Sequence, residues 1–369
     1  MKLFECQHCG QLLYFENTRC ERCGHVLGYL PDREILSSLT SEDGSRWFPL
    51  VAPDEPFGFC ANAAYEACNW LVPAGGRDTY CCACRFNRTI PNLDKPENLL
   101  LWQRLETAKH RLVYGLLRLG LPLANKFDDA DKGLAFDFLA SPNANFREGP
   151  QIITGHSRGL ITIDISEADD AERERHRQDM AEPYRTLLGH FRHEVGHYYW
   201  EQLVRGGVWH AAFREIFGDE RSDYGSALQA HYTNGPKPDW RDRYVSSYAS
   251  AHAWEDFAET WAHYLHMVDT LETAAAFGLR VRPKVGRNPV LETEIDFDPC
   301  RQVNFDALVA AWLPLTYAVN GLNHSMGQQD LYPFVLAPAV MGKLRFVHGL
   351  IHQNSGANEA EDSKLDWLE

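Results

Sequence analysis

His193-Glu194-Val195-Gly196-His197 lies in the longest helix-compatible stretch of this chain. Residues four apart share a helical face, so both imidazoles can reach one zinc ion while Glu194 is turned toward a water on that ion. The flanks support the helix. Tyr184 to Arg192 leads in, Tyr198-Tyr199-Trp200-Glu201-Gln202-Leu203-Val204 leads out, and large apolar groups recur at helical spacing. Pro183 suits the first turn and Gly206-Gly207 the end. With 16 histidines in 369 residues, the pentapeptide alone arises by chance in roughly a few per cent of such chains, so its weight comes from the company it keeps.

Two histidines leave a catalytic zinc short of its usual three protein ligands. The Gly and third His that follow closely in metzincins are absent after His197, which favours a carboxylate. The candidate stretch is His252-Ala253-Trp254-Glu255-Asp256-Phe257-Ala258-Glu259-Thr260-Trp261-Ala262-His263-Tyr264-Leu265-His266. Glu255 and Glu259 share one helical face, interleaved with aromatic residues that a solvated helix would not carry. Glu255 is the expected third ligand. Glu259, one turn on, is expected to accept the outer N–H of a ligating histidine.

This combination resembles the gluzincin metallopeptidases, with a spacing similar to their lethal-factor-like members. Nearly the whole chain resembles a bacterial family of zinc-binding metallopeptidases with an N-terminal zinc ribbon. The matching stretches are Cys68-Asn69-Trp70-Leu71-Val72, Tyr184 to Trp200, Glu255 to Leu265, Ser325-Met326-Gly327 and Tyr332-Pro333-Phe334. The resemblance implies a tyrosine facing the scissile carbonyl about two turns ahead of the glutamate ligand. Tyr248 is at that position, with Tyr244 as competitor; a phenol there would stabilise a developing oxyanion. Gly159-Leu160-Ile161-Thr162-Ile163-Asp164-Ile165 alternates like a half-exposed strand. By resemblance it would be the edge strand that lines the cleft and pairs with an extended substrate.

Cysteines carry a second signal. Cys6-x-x-Cys9 and Cys20-x-x-Cys23, ten residues apart, can close four thiolates round a structural zinc. Cys60, Cys68, Cys81 and Cys84 form a second set, in which Cys81-x-x-Cys84 is favoured over Cys82-x-Cys84 because the wider gap allows a tight knuckle. Disulfides are the alternative. Met1-Lys2-Leu3-Phe4-Glu5-Cys6 enters the first knuckle without a signal peptide and no apolar run suggests a membrane span, so thiolate sites in a reducing cytoplasm are expected. Cys82 and Cys300 are left over.

At 44% hydrophobic and 12% aromatic, the chain can bury a sizeable core. The expected class is α+β: a mainly helical zincin-like metallopeptidase domain with a small mixed sheet, preceded by two small four-cysteine zinc modules. The boundaries read as a zinc ribbon at 1–28, a polar linker at 29–46, a second module at 47–95, the peptidase domain at 96–352 and a disordered acidic tail at 353–369. One catalytic and two structural zinc ions are expected. A core helix from Phe305 should break or kink at Pro314, Met326 should pack in the core, and His190, His263 and His266 should make tertiary hydrogen bonds. The net charge of −15 argues against nucleic acid. So do residues 1–46, which hold five Lys and Arg against seven Asp and Glu. The expected substrate is a specific protein or peptide, with a protein partner for the ribbon. Hydrolysis of a non-peptide amide, and a non-enzymatic interaction module, are the alternatives.

Overall fold

Short strands and cysteine turns alternate at the N-terminus. Strands β1 (Phe4–Glu5) and β2 (Leu12–Leu13) pair antiparallel around the first knuckle. β3 (Val26–Leu30), β4 (Ile35–Thr40) and β5 (Phe48–Pro49) form an antiparallel meander, and β6 (Phe57–Phe59) pairs with β7 (Leu71–Pro73). Residues 29–46, read above as a polar linker, therefore carry strands. Within that stretch Ser37 and Ser38 are fully buried. Ser38 Oγ lies 3.1 Å from Cys6 Sγ, and the Ser38 amide donates to Gln7 Oε1 at 2.6 Å, so these polar groups serve the first cysteine set. Leu30, Leu39 and Leu71 form a small core with Trp47, Phe57 and Phe59 against it. At Gly28 a Cβ would lie 2.7 Å from the Leu71 side chain. Isolated bridges pair Tyr29 with Trp70 and Trp47 with Phe57, so the strands of the two cysteine regions are joined.

β8 (Asn87–Thr89) is followed by α1 (Pro96–Arg118), β9 (Ala135–Leu139), β10 (Gly155–Ser157) and β11 (Leu160–Asp164). These strands build a mixed sheet in the order β10-β11-β9-β8. The strand expected at the edge is β11, and it lies inside, parallel to β9 and antiparallel to β10. Arg158 and Gly159 both take positive φ, folding β10 back onto β11 and covering the edge.

The computed structural model describes residues 1–41, 43–140, 154–179, 185–285 and 288–365. They group into two units, Met1–Tyr114 with Ala124–Arg173 and Gly115–Leu123 with Glu174–Glu369. In this grouping α1 as far as Tyr114 and the mixed sheet go with the cysteine-rich strands.

The second unit is helical. After α2 (Asp170–Asp179), α3 (Leu187–Tyr199) starts at Thr186, whose side chain accepts from the Gly189 amide. The proposed start at Pro183 lies outside the described residues. From Phe191 to Tyr199 every residue of α3 is buried, and one π-helical turn carries the chain to Gly206 at φ +71°. α4 (His210–Phe217), α5 (Tyr224–Asn234) and α6 (Trp240–Arg243) lead to α7 (Ala253–Ala276), which buries Phe257, Trp261, Tyr264 and Leu265. Tyr199 stacks on Trp261 with ring centroids 4.9 Å apart.

β12 (Arg280–Val281) and β13 (Thr293–Glu294) form a short hairpin before α8 (Phe305–Ser325) and α9 (Pro338–Leu365). α8 runs through Pro314, because buried Leu308, Ala311, Trp312 and Leu315 hold both sides of the proline. No apolar run suggests a membrane span from the sequence, and α8 is the one described helix long and apolar enough to cross one by length and composition. Met326, expected in the core, caps α8 and is 78% exposed. α9 continues to Leu365, through most of the stretch expected to be disordered. Its buried face at Val340, Leu344, Val347 and Ile351 nucleates a helix that Ala, Glu and Lys can prolong.

Candidate metal centre

α3 and α7 approach at a glycine. A Cβ on Gly196 would stand 2.9 Å from Ala258 Cα and 3.2 Å from its carbonyl oxygen. His193 and His197 flank Gly196, and Glu255 and Glu259 flank Ala258, so the closest backbone contact brings both pairs together. His193 Nε2 is 3.2 Å from His197 Nε2 and 3.0 Å from Glu255 Oε2, and His197 Nε2 is 3.5 Å from Glu255 Oε1. Ligands at about 2.0–2.1 Å in tetrahedral array are about 3.3 Å apart, so these three residues fit one zinc ion.

Each ligand candidate is held from behind. Glu259 Oε1 lies 2.7 Å from His193 Nδ1, and Ser246 Oγ donates to Glu259 Oε2 at 2.6 Å. With its proton on Nδ1 toward Glu259, His193 presents the Nε2 lone pair to the centre. Burial lowers the His193 pKa, but Glu255 and Glu259 override it and raise it well above the ordinary value. Burial likewise opposes ionisation of Glu255, and His197 and His193 hold it well below the carboxylate range. Buried Glu255 and Glu259 on either side of His193 give a local negative charge that suits a divalent cation. Trp254 covers His197, ring centroids 4.2 Å apart.

Three carboxylate oxygens in this region are buried without a hydrogen bond: Glu255 Oε2, Glu194 Oε2 and Asp256 Oδ1, the last on a carboxylate that is ion-paired with Lys343 through Oδ2. In each case the other oxygen is occupied. Tyr224 donates its hydroxyl to Glu255 Oε1 at 2.8 Å, and His190 Nε2 lies 3.2 Å from Glu194 Oε1. Burial raises the Glu194 pKa, yet the His190 contact and the nearby His193 and His197 bring it below the normal glutamate value. The group is therefore ionised, as a base must be.

In the first unit the cysteines gather as two sets, Cys6, Cys9, Cys20, Cys23 and Cys60, Cys68, Cys81, Cys84. The Sγ separations are 3.6 Å for Cys6 to Cys23 and for Cys9 to Cys20, and 3.7 Å for Cys68 to Cys81. A disulfide needs about 2.0 Å. Thiolates about 2.3 Å from a tetrahedral zinc stand about 3.7 Å apart, so the sets match metal ligation. Amides of Trp70, Cys81 and Cys84 point at the sulfurs of Cys68, Cys60 and Cys81. Cys82 and Cys300 stay outside both sets.

The family model described as "Putative zinc-binding metallo-peptidase" matches residues 98–350, and a zinc-ribbon model matches residues 3–95. The chain belongs to this zinc-binding metallopeptidase family. Its relatives include uncharacterized protein Rv2568c of Mycobacterium tuberculosis and uncharacterized protein Mb2598c of Mycobacterium bovis. Each is 42% identical over 354 residues, 96% of this chain and 96% of the relative. No solved structure matches. The single ribbon model spans both cysteine sets and the stretch between them, in keeping with the joined strands.

Within this family member, the two tyrosines singled out by sequence separate. Tyr248 has its ring 6.0 Å from that of His193, whereas Tyr244 accepts from Lys237 Nζ at 3.1 Å and lies under Lys343, away from the histidines. His263 bonds Tyr332 at 2.7 Å and His266 contacts Arg192, both tertiary contacts of the expected kind. His190 had been assigned only such a role, and it meets Glu194. Sequence reasoning also missed Tyr224, Ser246 and His110. Tyr224 and Ser246 come from the segment between the two motif helices and follow no helical period with them. His110, on α1, sets Nδ1 against the Glu106 carbonyl at 2.6 Å and Nε2 3.5 Å from Cys84 Sγ. A lone histidine on an apolar helix gives no signal of that contact.

Proposed function

We propose that this protein is a zinc-dependent peptidase that hydrolyses a peptide bond in a specific protein or peptide. The observation that carries the reading is the pair of buried carboxylate oxygens, Glu255 Oε2 and Glu194 Oε2, that make no hydrogen bond beside His193 and His197. One suits a metal ligand and the other a base. A zinc ion held by His193, His197 and Glu255 would polarise a water and the scissile carbonyl. Glu194, ionised and positioned by His190, takes the water proton and returns it to the departing amine. Tyr248 supplies a phenol on the His193 side for the oxyanion. Glu259 and Ser246 fix the His193 ring and its tautomer. The four-cysteine sets hold one structural zinc each, and the acidic first unit offers a surface for a protein partner rather than a nucleic acid.

Glu194→Gln tests the assignment, because the variant keeps every proposed ligand and loses the base. It should retain wild-type zinc content, lose about 10² to 10⁴ in rate, and trap substrate for identification by mass spectrometry. If the wild type cleaves none of the trapped proteins and both forms bind the same set, the protein is an interaction module.

A further inference from the structure

Glu255 and Tyr224 meet from different parts of the second unit. Glu255 is in the first turn of α7, while Tyr224 is the first residue of α5, placed there by the Asp223 cap, which accepts from the Ser226 amide at 2.7 Å. α5 has no fully buried residue, and the Tyr224 ring meets His252 and Trp254 edge-on with centroids 5.4 and 5.9 Å apart. Tyr224 is 39% exposed, yet its hydroxyl reaches inward to Glu255 Oε1. Glu255 itself is 1% exposed.

A buried carboxylate facing a cation can bind through one oxygen or both, and the choice decides whether a coordination position stays open. Oε1 is within 3.5 Å of His197 Nε2, near enough to turn to the same ion as Oε2. We propose that Tyr224 is the positioning residue that restricts Glu255 to one metal bond: its hydroxyl occupies Oε1, leaving Oε2 as the ligand and keeping the fourth position free for water and substrate. This rests on the reading of His193, His197 and Glu255 as the ligand set. Tyr224 is thus a determinant of coordination number, distinct from the oxyanion role given to Tyr248.

Tyr224→Phe removes the hydroxyl and keeps the partly exposed ring, so the helix and its cap are retained. Cadmium-113 NMR of the fully substituted full-length protein reads the outcome, because nitrogen and oxygen sites resonate far upfield of thiolate sites. The His/Glu resonance should move further upfield in Tyr224→Phe as a second oxygen binds, with the thiolate resonances unmoved. Tyr248→Phe should leave the His/Glu resonance closer to wild type than Tyr224→Phe does. A crystal structure of zinc-loaded Tyr224→Phe should show both Glu255 oxygens on the ion, against one in the wild type. An unmoved resonance together with one-oxygen ligation in Tyr224→Phe would overturn the proposal while leaving the ligand set standing. A wild type with thiolate resonances alone would instead remove the ligand set, and this inference with it.

Discussion

The two kinds of metal-ligand cluster in this chain are built in opposite ways. The cysteine sets lie in turns and loops between strands of only two to six residues, beside a cluster of Phe15, Tyr29 and Trp70, so a metal ion would tie together turns that short strands hold weakly. The histidine and glutamate set is fixed by two buried helices crossing at Gly196 and Ala258. Its ligand candidates are brought together by the packing of those two helices. On the function proposed above, the first region would use metal to make structure, and the second would use structure to hold a metal for chemistry.

Metal removal should separate them most. Structural zinc contributes about 10–16 kcal/mol to small cysteine modules, so chelation should unfold the N-terminal strands while leaving the α3 and α7 core helical. Hydrogen exchange mass spectrometry on the full chain would show protection lost over residues 4–84 and kept over 187–199 and 253–276. Equal loss in both regions would break the contrast.

Acid should act on the helical unit through His263, whose pKa burial lowers from 6.5 to about 4. A depressed histidine contributes stability that is present above the unfolded value and lost as pH falls through the folded one. The window is therefore about pH 6.5 down to 4, with a magnitude on the order of 3 kcal/mol. Urea melts across that window should flatten in His263→Gln.

Crowding the helix crossing should cost less but reach the site. Gly196→Ala places a methyl 2.9 Å from Ala258 Cα, an overpacking worth about 1–3 kcal/mol. Thermal melts should show that loss together with weaker zinc binding at the His/Glu centre. Zinc held as tightly as in wild type would mean that the crossing does not set ligand spacing. The smallest effect belongs to Glu259→Ala, which keeps all three ligand candidates and frees the His193 ring. Competition titration should find zinc affinity reduced by about ten- to a hundredfold.

What could be read from residues alone follows the range of the contact. His193 with His197, Glu255 with Glu259, and Cys6 with Cys9 are three or four positions apart, so helix or turn geometry makes neighbours of them before any tertiary structure exists. Contacts that depend on the path of intervening chain were hidden. Tyr224 meets Glu255 across 31 residues, Ser246 meets Glu259 across 13, and His110 meets Cys84 across 26. The supposed linker misled because Ser38 looks solvated until its partners, Gln7 and Cys6, fold against it. β11 was taken for an edge because the pairing of β10 depends on left-handed backbone at Arg158 and Gly159.

Anomalous difference maps at the zinc edge, from crystals of the zinc-loaded protein, test the central contrast most directly. Three peaks are expected: within Cys6, Cys9, Cys20 and Cys23, within Cys60, Cys68, Cys81 and Cys84, and at His193, His197 and Glu255, with Glu259 touching His193 but not the ion. Disulfides in either cysteine set would contradict the structural half of the account. An absent third peak, or one completed by Asp256, His252 or His263 in place of Glu255, would contradict the catalytic half.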